Sequence, residues 1–119
     1  MVTAIIADDS TTQQDVVRSA LSQLNIKVVG VYSDGVAALQ AIRSLKPTLA
    51  LLDYIMPNMT GGEVSQAVYA EKLATKVVLV TSMGQRGAAF STDLHAHSVA
   101  IKPISSLLLS MRIQEALDA

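Results

Sequence analysis

The sequence predicts an α/β fold in which helices cover both faces of a single parallel sheet of five strands. Short apolar runs alternate five times with stretches whose apolar residues recur at helical spacing, the pattern of strands joined by crossover helices. The apolar runs are rich in β-branched residues on both parities, as expected for strands that are buried on both faces. Because crossovers between parallel strands are right-handed, few topologies remain for such a chain.

Composition limits the domain count and excludes several classes of function. The chain has 119 residues, 50% of them hydrophobic, which favours one domain over residues 1–119 with a substantial core. A net charge of −1 argues against direct nucleic-acid binding and against attachment to an anionic membrane. The absence of cysteine excludes disulfides and thiolate chemistry. The apolar runs are too short to span a membrane and no signal peptide opens the chain, so we expect a cytoplasmic protein.

The first half of the chain predicts three strands, each bounded by polar or turn-forming residues. Val2–Ala7 is apolar almost throughout and stops at the acidic pair that follows it. Lys27–Tyr32 is a second apolar run, closed by a Ser-Asp-Gly turn. Thr48–Leu52 is a third, and it leads directly into Asp53 and a loop punctuated by proline and glycine.

Amphipathic helices are predicted after each of these strands. The first covers residues 12–25, with Thr11 as its N-cap and Gln14, three residues on, as the capping-box partner. The second ends at Lys46-Pro47, because a residue that precedes proline avoids the helical region. The third runs from about 62 to 74 and has a less regular apolar face than the other two.

Two further strands and two further helices are predicted in the second half of the chain. The strands are again apolar and β-branched, whereas the segment between them has small residues, glycines and few apolar anchors. The predicted elements are a strand at Lys76–Thr81, a short helix within 84–97, a strand at Ser98–Ile101 and a final helix from a cap at Ser105 or Ser106 to about Leu117.

Five such units fit a flavodoxin-like (βα)5 three-layer sandwich with the strand order 2-1-3-4-5. In that order the first, third, fourth and fifth strands are neighbours, and polar residues mark the end of each. Asp8 and Asp9 follow the first strand, Asp53 follows the third, Thr81 ends the fourth and Lys102 follows the fifth. Because open α/β sheets bind ligands at this carboxyl edge, we expect these five side chains to form one shallow pocket.

The charges of the predicted pocket indicate its chemistry. Two carboxylates about 4 Å apart repel each other by roughly 4 kcal/mol at an effective dielectric constant of about 20, so a cluster of them needs a proton or a cation. Oxygen ligands with room for water and a phosphate suit Mg²⁺. A carboxylate such as Asp53, placed between a divalent cation and the Lys102 ammonium, is arranged to attack a phosphoryl group.

With these residues in view, the sequence resembles the receiver domain of two-component response regulators, the CheY-like family. The resemblance spans the whole chain, and its motifs occur in order along the five βα units. The residues that carry it are the Asp8-Asp9 pair, Asp53 with the following Met56-Pro57 and Gly61, Thr81, and Lys102-Pro103. The resemblance implies a single receiver domain that accepts a phosphoryl group for signalling and is not an enzyme with an external substrate.

The resemblance implies a role for each residue that would contact the phosphoryl group. Asp53 is expected to accept it from a sensor histidine kinase or a phosphotransfer protein. Thr81 is expected to donate a hydrogen bond to the phosphoryl oxygens, and Lys102 is expected to form an ion pair with them. A cis peptide bond between Lys102 and Pro103 is also expected, on the resemblance alone.

The resemblance also implies that the carboxylates bind a metal ion. Asp8 and Asp9 are expected to bind Mg²⁺ together with the acceptor carboxylate, Asp9 more directly than Asp8. The backbone carbonyl of Ile55 is expected to be a further ligand. His95 and His97 lack the spacing of metal ligands and are expected to be surface residues.

The chain departs from the family at positions that affect switching and the lifetime of the signal. Three residues before Lys102 the family has an aromatic side chain that swings between exposed and buried states, whereas this chain has Val99. We therefore expect switching to rely on shifts of loops and helices. Ile55 and Met83 flank the family's path for hydrolytic water, and their apolar side chains offer it no hydrogen bonds. We therefore expect slow or ordinary autodephosphorylation.

The final predicted helix carries more apolar surface than one buried face requires. Beside its inward stripe, Ile104, Leu107, Leu108 and Met111 form a second apolar strip. Contiguous apolar surface often marks an interface. In the family this strip lies on the face of the fourth helix, fifth strand and fifth helix, which serves dimers and partners. We expect a homodimer or partner contact here, with a broader core contact as the alternative.

Three alternatives are weighed against the phosphorylated receiver. A degenerate receiver would act as an interaction domain without being phosphorylated. A flavodoxin that binds FMN would need a phosphate loop of serine, threonine and glycine where this chain has Asp8 and Asp9. A hydrolase of the haloacid dehalogenase kind would need an acid two residues after Asp8, where this chain has Ser10. The residue types in the predicted pocket favour the phosphorylated receiver.

Overall fold

The computed structural model describes residues 1–82 and 95–119 and contains one parallel sheet. Its strands are Thr3–Ala7 (β1), Lys27–Tyr32 (β2), Leu49–Asp53 (β3), Lys76–Ser82 (β4) and Ser98–Lys102 (β5). They lie in the order β2-β1-β3-β4-β5, which confirms the predicted flavodoxin-like sheet. Each strand end lies within one residue of its prediction, because the apolar runs coincide with the strands.

The described residues form four helices. They are Thr11–Gln23 (α1), Gly35–Leu45 (α2), Gly61–Ala70 (α3) and Ser106–Asp118, called the C-terminal helix below. Most of the helix predicted within 84–97 lies outside the described residues, and its last three positions, 95–97, are not helical. In the described part of the chain, no helix has the length and apolar character needed to cross a membrane.

Side-chain caps start the helices, although not always at the predicted residue. The prediction of Thr11 as the first cap is wrong, because the hydroxyl of Ser10 accepts the bond from the backbone N–H three residues later, at 3.3 Å. A full capping box occurs instead at the start of α3, between Thr60 and Glu63. Ser105, one of the two predicted serines, caps the C-terminal helix.

Left-handed lysines end two of the helices. α3 stops at Ala70, four residues before its predicted end, and Lys72 then adopts a φ of 56°. An α-helix of L-residues cannot continue through that conformation. Lys46 ends α2 in the same way, with a φ of 48°, at the position where the sequence predicts a stop before proline.

Two apolar layers pack on opposite faces of the sheet. One lies beneath α1 and the C-terminal helix, where Leu21 and Ile113 are fully buried. The other lies beneath α2 and α3 and includes Ile42 and Val64. β3, at the centre of the sheet, is buried at every position. This three-layer packing holds the carboxyl ends of four neighbouring strands at one edge.

Candidate functional site

The structure brings the predicted pocket residues to the carboxyl edge of the sheet. Asp8 directly follows β1, Asp53 is the last residue of β3, Thr81 lies near the end of β4 and Lys102 ends β5. The Nζ of Lys102 lies 3.1 Å from Oδ2 of Asp53 and 3.7 Å from Oδ2 of Asp8. Lys102 is thus a shared cation for two buried carboxylates.

Three carboxylates of this edge are close enough to bind one metal ion. Asp8, Asp9 and Asp53 each offer an oxygen, and the three oxygens lie within 4.8 Å of one another. Asp8 and Asp53 are buried and Asp9 is exposed, so the cluster is open to solvent on one side. Hard oxygen ligands with an open side fit Mg²⁺, which keeps several waters and binds through few carboxylates.

The electrostatics of Asp53 reflect this crowding. Burial and, next, the charge of Asp8 raise the pKa of the Asp53 carboxyl to about 6, with a smaller contribution from Asp9. The charge and hydrogen bond of Lys102 act in the opposite direction. Without a further cation the site therefore holds this carboxyl close to its titration point near neutral pH, and a divalent ion favours the ionised form.

Hydrogen bonds from the start of α1 fix Asp8. Its Oδ1 accepts from the backbone N–H of Ser10 at 2.9 Å, and its backbone carbonyl accepts from Nε2 of Gln14 at 2.7 Å. Its own N–H donates to the carbonyl of Tyr32 at 3.0 Å. Sequence reasoning missed this role for Gln14, which it assigned to a capping box.

The loop after Asp53 is held by the first residue of α3. The N–H of Gly61 donates to the carbonyl of Tyr54 at 2.8 Å. A Cβ at Gly61 would lie 2.4 Å from the backbone oxygen of Asp53. No glycine among the described residues has a positive φ, so turn geometry does not require glycine at 61. Close approach to the Asp53 backbone is the reason for glycine at 61.

The remaining predicted residues lie close to the site or beyond the described chain. Thr81 is buried, and its hydroxyl donates to the carbonyl of Ser82 at 3.3 Å. Ile55 exposes 52% of its surface next to the site, while Met83 lies outside the described residues. The role of the Ile55 carbonyl as a metal ligand stays a prediction.

The segment around β5 agrees with one expectation from the sequence. The Lys102–Pro103 peptide bond is cis, as expected. Val99 pairs with Leu79 in the sheet and packs against the core layer beneath α2 and α3. This position therefore carries a short, partly buried side chain where the family has an aromatic one.

The predicted apolar strip on the C-terminal helix is exposed at three of its four positions. Leu107, Leu108 and Met111 expose 68%, 41% and 55% of their surfaces. Ile104 is different, because it is partly buried and packs against the core layer beneath the C-terminal helix. For this residue the structure shows a core contact, and its place in the interface strip stays a prediction.

The two histidines lie at the surface, as predicted, but both make contacts that the sequence did not indicate. Nδ1 of His97 accepts from the backbone N–H of Val77 at 3.0 Å. The ring of His95 stacks on Tyr69, with centroids 3.5 Å apart and planes 4° from parallel. No local pattern in the sequence could have predicted either contact, because each joins residues 20 or more positions apart.

Comparison with known proteins identifies the family that this chain matches. Residues 4–114 match the family model described as the response regulator receiver domain. The chain is 31% identical over 115 residues to a protein-glutamate methylesterase/protein-glutamine glutaminase of Myxococcus xanthus, which covers 96% of this chain and 33% of that protein. It is 26% identical over 119 residues to the chemotaxis protein CheY of Listeria monocytogenes, covering 99% of this chain and 97% of that protein.

Solved structures agree with these relatives. The response regulator domain of Thermotoga maritima CheB superposes with a TM-score of 0.82 at 28% identity, over 100% of this chain and 98% of that one. The chain thus spans nearly the full length of receiver structures, but only about a third of the M. xanthus relative.

Proposed function

Because the chain belongs to the response regulator receiver domain family of two-component signalling, we propose that Asp53 is its phosphoacceptor. The proposal depends on one observation, the place of the Asp53 carboxylate beside a cation and two further carboxylates. Its Oδ2 lies 3.1 Å from the Lys102 ammonium, and oxygens of Asp8 and Asp9 lie within 4.8 Å. A carboxylate in this setting has both an ion-pair partner and ligands for a divalent ion beside it.

In the proposed reaction an oxygen of Asp53 attacks the phosphorus of a phosphohistidine. An O–P bond forms, the N–P bond breaks, and its electron pair stays on the imidazole nitrogen of the donor. The Lys102 ammonium then pairs with the phosphoryl oxygens and stabilises their charge. Among the described residues the Thr81 hydroxyl donates one long bond, of 3.3 Å, to the carbonyl of Ser82, and it could turn from that bond to donate to the phosphoryl group.

Mg²⁺ is the proposed cofactor, held by Asp8, Asp9 and Asp53 and by the backbone carbonyl of Ile55. Bound there, Mg²⁺ supplies positive charge against the carboxylates and the transferring phosphoryl group. Asp8 is preset for this role, because the N–H of Ser10 fixes one of its carboxylate oxygens. The raised pKa of Asp53 also means that cation binding promotes the ionised, nucleophilic form.

We further propose that the phosphoryl group comes from a sensor histidine kinase or a phosphotransfer protein. The domain then acts as a switch and not as an enzyme with an external substrate, while the esterase activity belongs to the named M. xanthus relative. Its output is proposed to include a homodimer through Leu107, Leu108 and Met111, the exposed part of the predicted strip. One receiver domain over residues 1–119 and a cytoplasmic location stay predictions from the sequence.

Phosphorylation by acetyl phosphate tests the assignment of Asp53. With Mg²⁺ present, intact-mass measurement should show one phosphoryl adduct on the parent and none on Asp53→Asn. Asp15→Asn, which changes an exposed acid on α1, is the matched control and should keep the adduct. An adduct that persists in Asp53→Asn contradicts the assignment. Absence of any adduct on the folded parent favours the degenerate receiver.

A further inference from the structure

A cleft at the opposite edge of the sheet from Asp53 has the features of a ligand site. It has a volume of about 410 Å³ and lies between the last turns of α3 and the segment that enters β5. That volume is within the range of small-molecule sites, which are about 300–1,000 Å³. The lining residues are Val68, Tyr69, Ala70, Lys72, Leu73, His95 and His97.

The polar side chains of this cleft offer hydrogen-bond donors and positive charge. Because Nδ1 of His97 accepts from the N–H of Val77 at 3.0 Å, the proton of the neutral ring lies on Nε2. Burial and, next, the charge of Lys76 lower the pKa of His97, which favours that neutral form. Its Nε2–H is consequently a donor only.

Lys72 adds the charge that an anion would need. Among the described residues no acidic side chain lines the cleft, and the neighbouring Glu71 is bound through both oxygens by the guanidinium of Arg43. Within the described part of the chain Lys72 makes no ion pair. The Lys72 ammonium therefore has no competing carboxylate among the described residues.

The other walls are apolar and aromatic. Val68 and Leu73 pack against the core layer beneath α2 and α3, and they supply apolar surface to the cleft. Tyr69 stacks on His95 with ring centroids 3.5 Å apart, yet it still exposes 61% of its surface. Flat apolar rings pack well against such a surface.

We propose that this cleft binds small aromatic carboxylates, with the ring against Tyr69 and Leu73 and the carboxylate at Lys72 and Nε2 of His97. One ligand of this class satisfies both the apolar walls and the donor groups. The site does not depend on phosphoryl transfer at Asp53, so the two proposals stand or fall separately.

Titration with 1-naphthoate, followed by ¹H–¹⁵N NMR, tests the site. Typical ligand efficiencies predict a Kd of about 1 mM. Saturable shifts are expected at residues 68–73 and at the Val77 amide, which bonds directly to His97. 1-Naphthalenemethanol, which lacks the charge, should bind at least about fivefold more weakly, as expected for loss of a charged hydrogen bond.

Two lysine variants distinguish binding in this cleft from binding in a neighbouring one. Lys72 also lines a second cleft, of about 250 Å³, together with Lys46. Both lysines have a positive φ, so Lys72→Met and Lys46→Met are matched in backbone strain. The proposal expects Lys72→Met to raise the Kd about fivefold and Lys46→Met to leave it unchanged.

Three results would overturn the proposal. The first is the absence of saturable shifts in the folded parent, and the second is equal binding of 1-naphthoate and its neutral analogue. The third is equal weakening of binding in both lysine variants, which would place the anion in the second cleft. The dispersion of the NMR spectra shows whether each variant is folded, since both lysines are exposed.

Discussion

At the scale of single residues, the ionised Asp53 carboxylate carries a free-energy cost that its proposed role as phosphoacceptor would explain. Its carboxyl is buried beside Asp8, and its pKa is raised to about 6 even with Lys102 at 3.1 Å. A residue chosen for stability alone would not ionise there. The proposed phosphoryl transfer needs a carboxylate at this place, and bound Mg²⁺ would offset the cost.

Replacement of Asp53 by Asn should therefore stabilise the metal-free protein at alkaline pH. Since the folded pKa is raised above the ordinary 3.8, the folded state binds the proton more tightly than the unfolded state. Stability from this group is present at low pH and is lost as pH rises from about 4 to about 6. We expect Asp53→Asn to exceed the parent by about 1–2 kcal/mol at pH 8, after discounting for solvent screening, and by little at pH 4.

Urea unfolding with EDTA present measures this difference. Asp15→Asn, on the exposed face of α1, should follow the parent at both pH values. Addition of Mg²⁺ should stabilise the parent more than Asp53→Asn, because ligand binding to the folded state raises its stability. Equal stability of the parent and Asp53→Asn at both pH values would contradict the account of the site's charges.

Most of the site residues could be predicted from the sequence, for a simple reason. Asp8, Asp53 and Lys102 interrupt apolar runs, so the end of each strand was visible as a change of residue type. The bond from Gln14 to the carbonyl of Asp8 could not be predicted, because the cap that orients α1 is Ser10 and not Thr11.

At the scale of elements, α3 packs closely against the end of β3 through Gly61. Any side chain at this position would meet the backbone oxygen of Asp53, at 2.4 Å for Cβ. A backbone atom of a buried strand cannot move as the end of a flexible side chain can. The start of α3 and the loop after Asp53 are therefore held in close contact.

Gly61→Ala should consequently destabilise the fold and disturb the site together. We expect a loss of about 2 kcal/mol or more in urea unfolding and a weaker affinity for Mg²⁺, measured by calorimetry. Ala70→Gly, at the last residue of α3, is the control, with a loss of no more than about 1 kcal/mol from helix propensity and unchanged Mg²⁺ affinity. Unchanged metal affinity in Gly61→Ala would show that the two elements are not coupled.

His97 completes the hydrogen bonding at the start of β4 with its side chain. The backbone N–H of His97 donates to the carbonyl of Val77, and Nδ1 accepts from the N–H of the same residue. The sequence could not indicate this hydrogen bond, because a side-chain imidazole takes the place of a backbone acceptor.

The hydrogen bond from the Val77 N–H to Nδ1 of His97 predicts that stability depends on pH. The pKa of His97 is lowered below 6.5, so the unfolded chain binds the proton more readily, and stability is lost as pH falls through 6.5 towards the folded pKa. His97→Asn keeps an acceptor and does not titrate. In an Asp53→Asn background, which removes the opposing titration of Asp53, His97→Asn should lose less stability between pH 7.5 and 5 than the same background with His97 intact. The free energy of unfolding of both proteins is measured with urea at each pH. An equal change with pH in the two proteins would contradict the role of the imidazole.

At the scale of the whole molecule, the strand order turns scattered residues into one site. β1, β3, β4 and β5 are neighbours in the sheet, and the residues at their ends meet although they lie up to 94 positions apart, from Asp8 to Lys102. The alternation of strands and helices was sufficient to predict this order. Helix ends were less predictable. After α3 the backbone of Lys72 is left-handed, and no proline or glycine lies there to indicate the end of the helix.

The exposed strip of the C-terminal helix predicts association of the phosphorylated protein. Leu107, Leu108 and Met111 expose apolar surface next to one another on this helix, and its removal from water would favour a dimer. In sedimentation velocity, a phosphate mimic such as beryllofluoride should shift the parent towards dimer, and Leu108→Glu should abolish the shift. Leu45→Glu on α2, with a similar exposure of 49%, should behave as the parent. Identical sedimentation of Leu108→Glu and the parent would contradict the interface.

The central claim is that Asp53 itself receives the phosphoryl group, and borohydride trapping tests it most directly. After incubation with acetyl phosphate and Mg²⁺, borohydride reduces an aspartyl phosphate to homoserine, which peptide mass spectrometry locates. We predict homoserine at position 53 and unmodified aspartate at positions 8 and 9. Homoserine at Asp8 or Asp9, with Asp53 unchanged, would contradict the account.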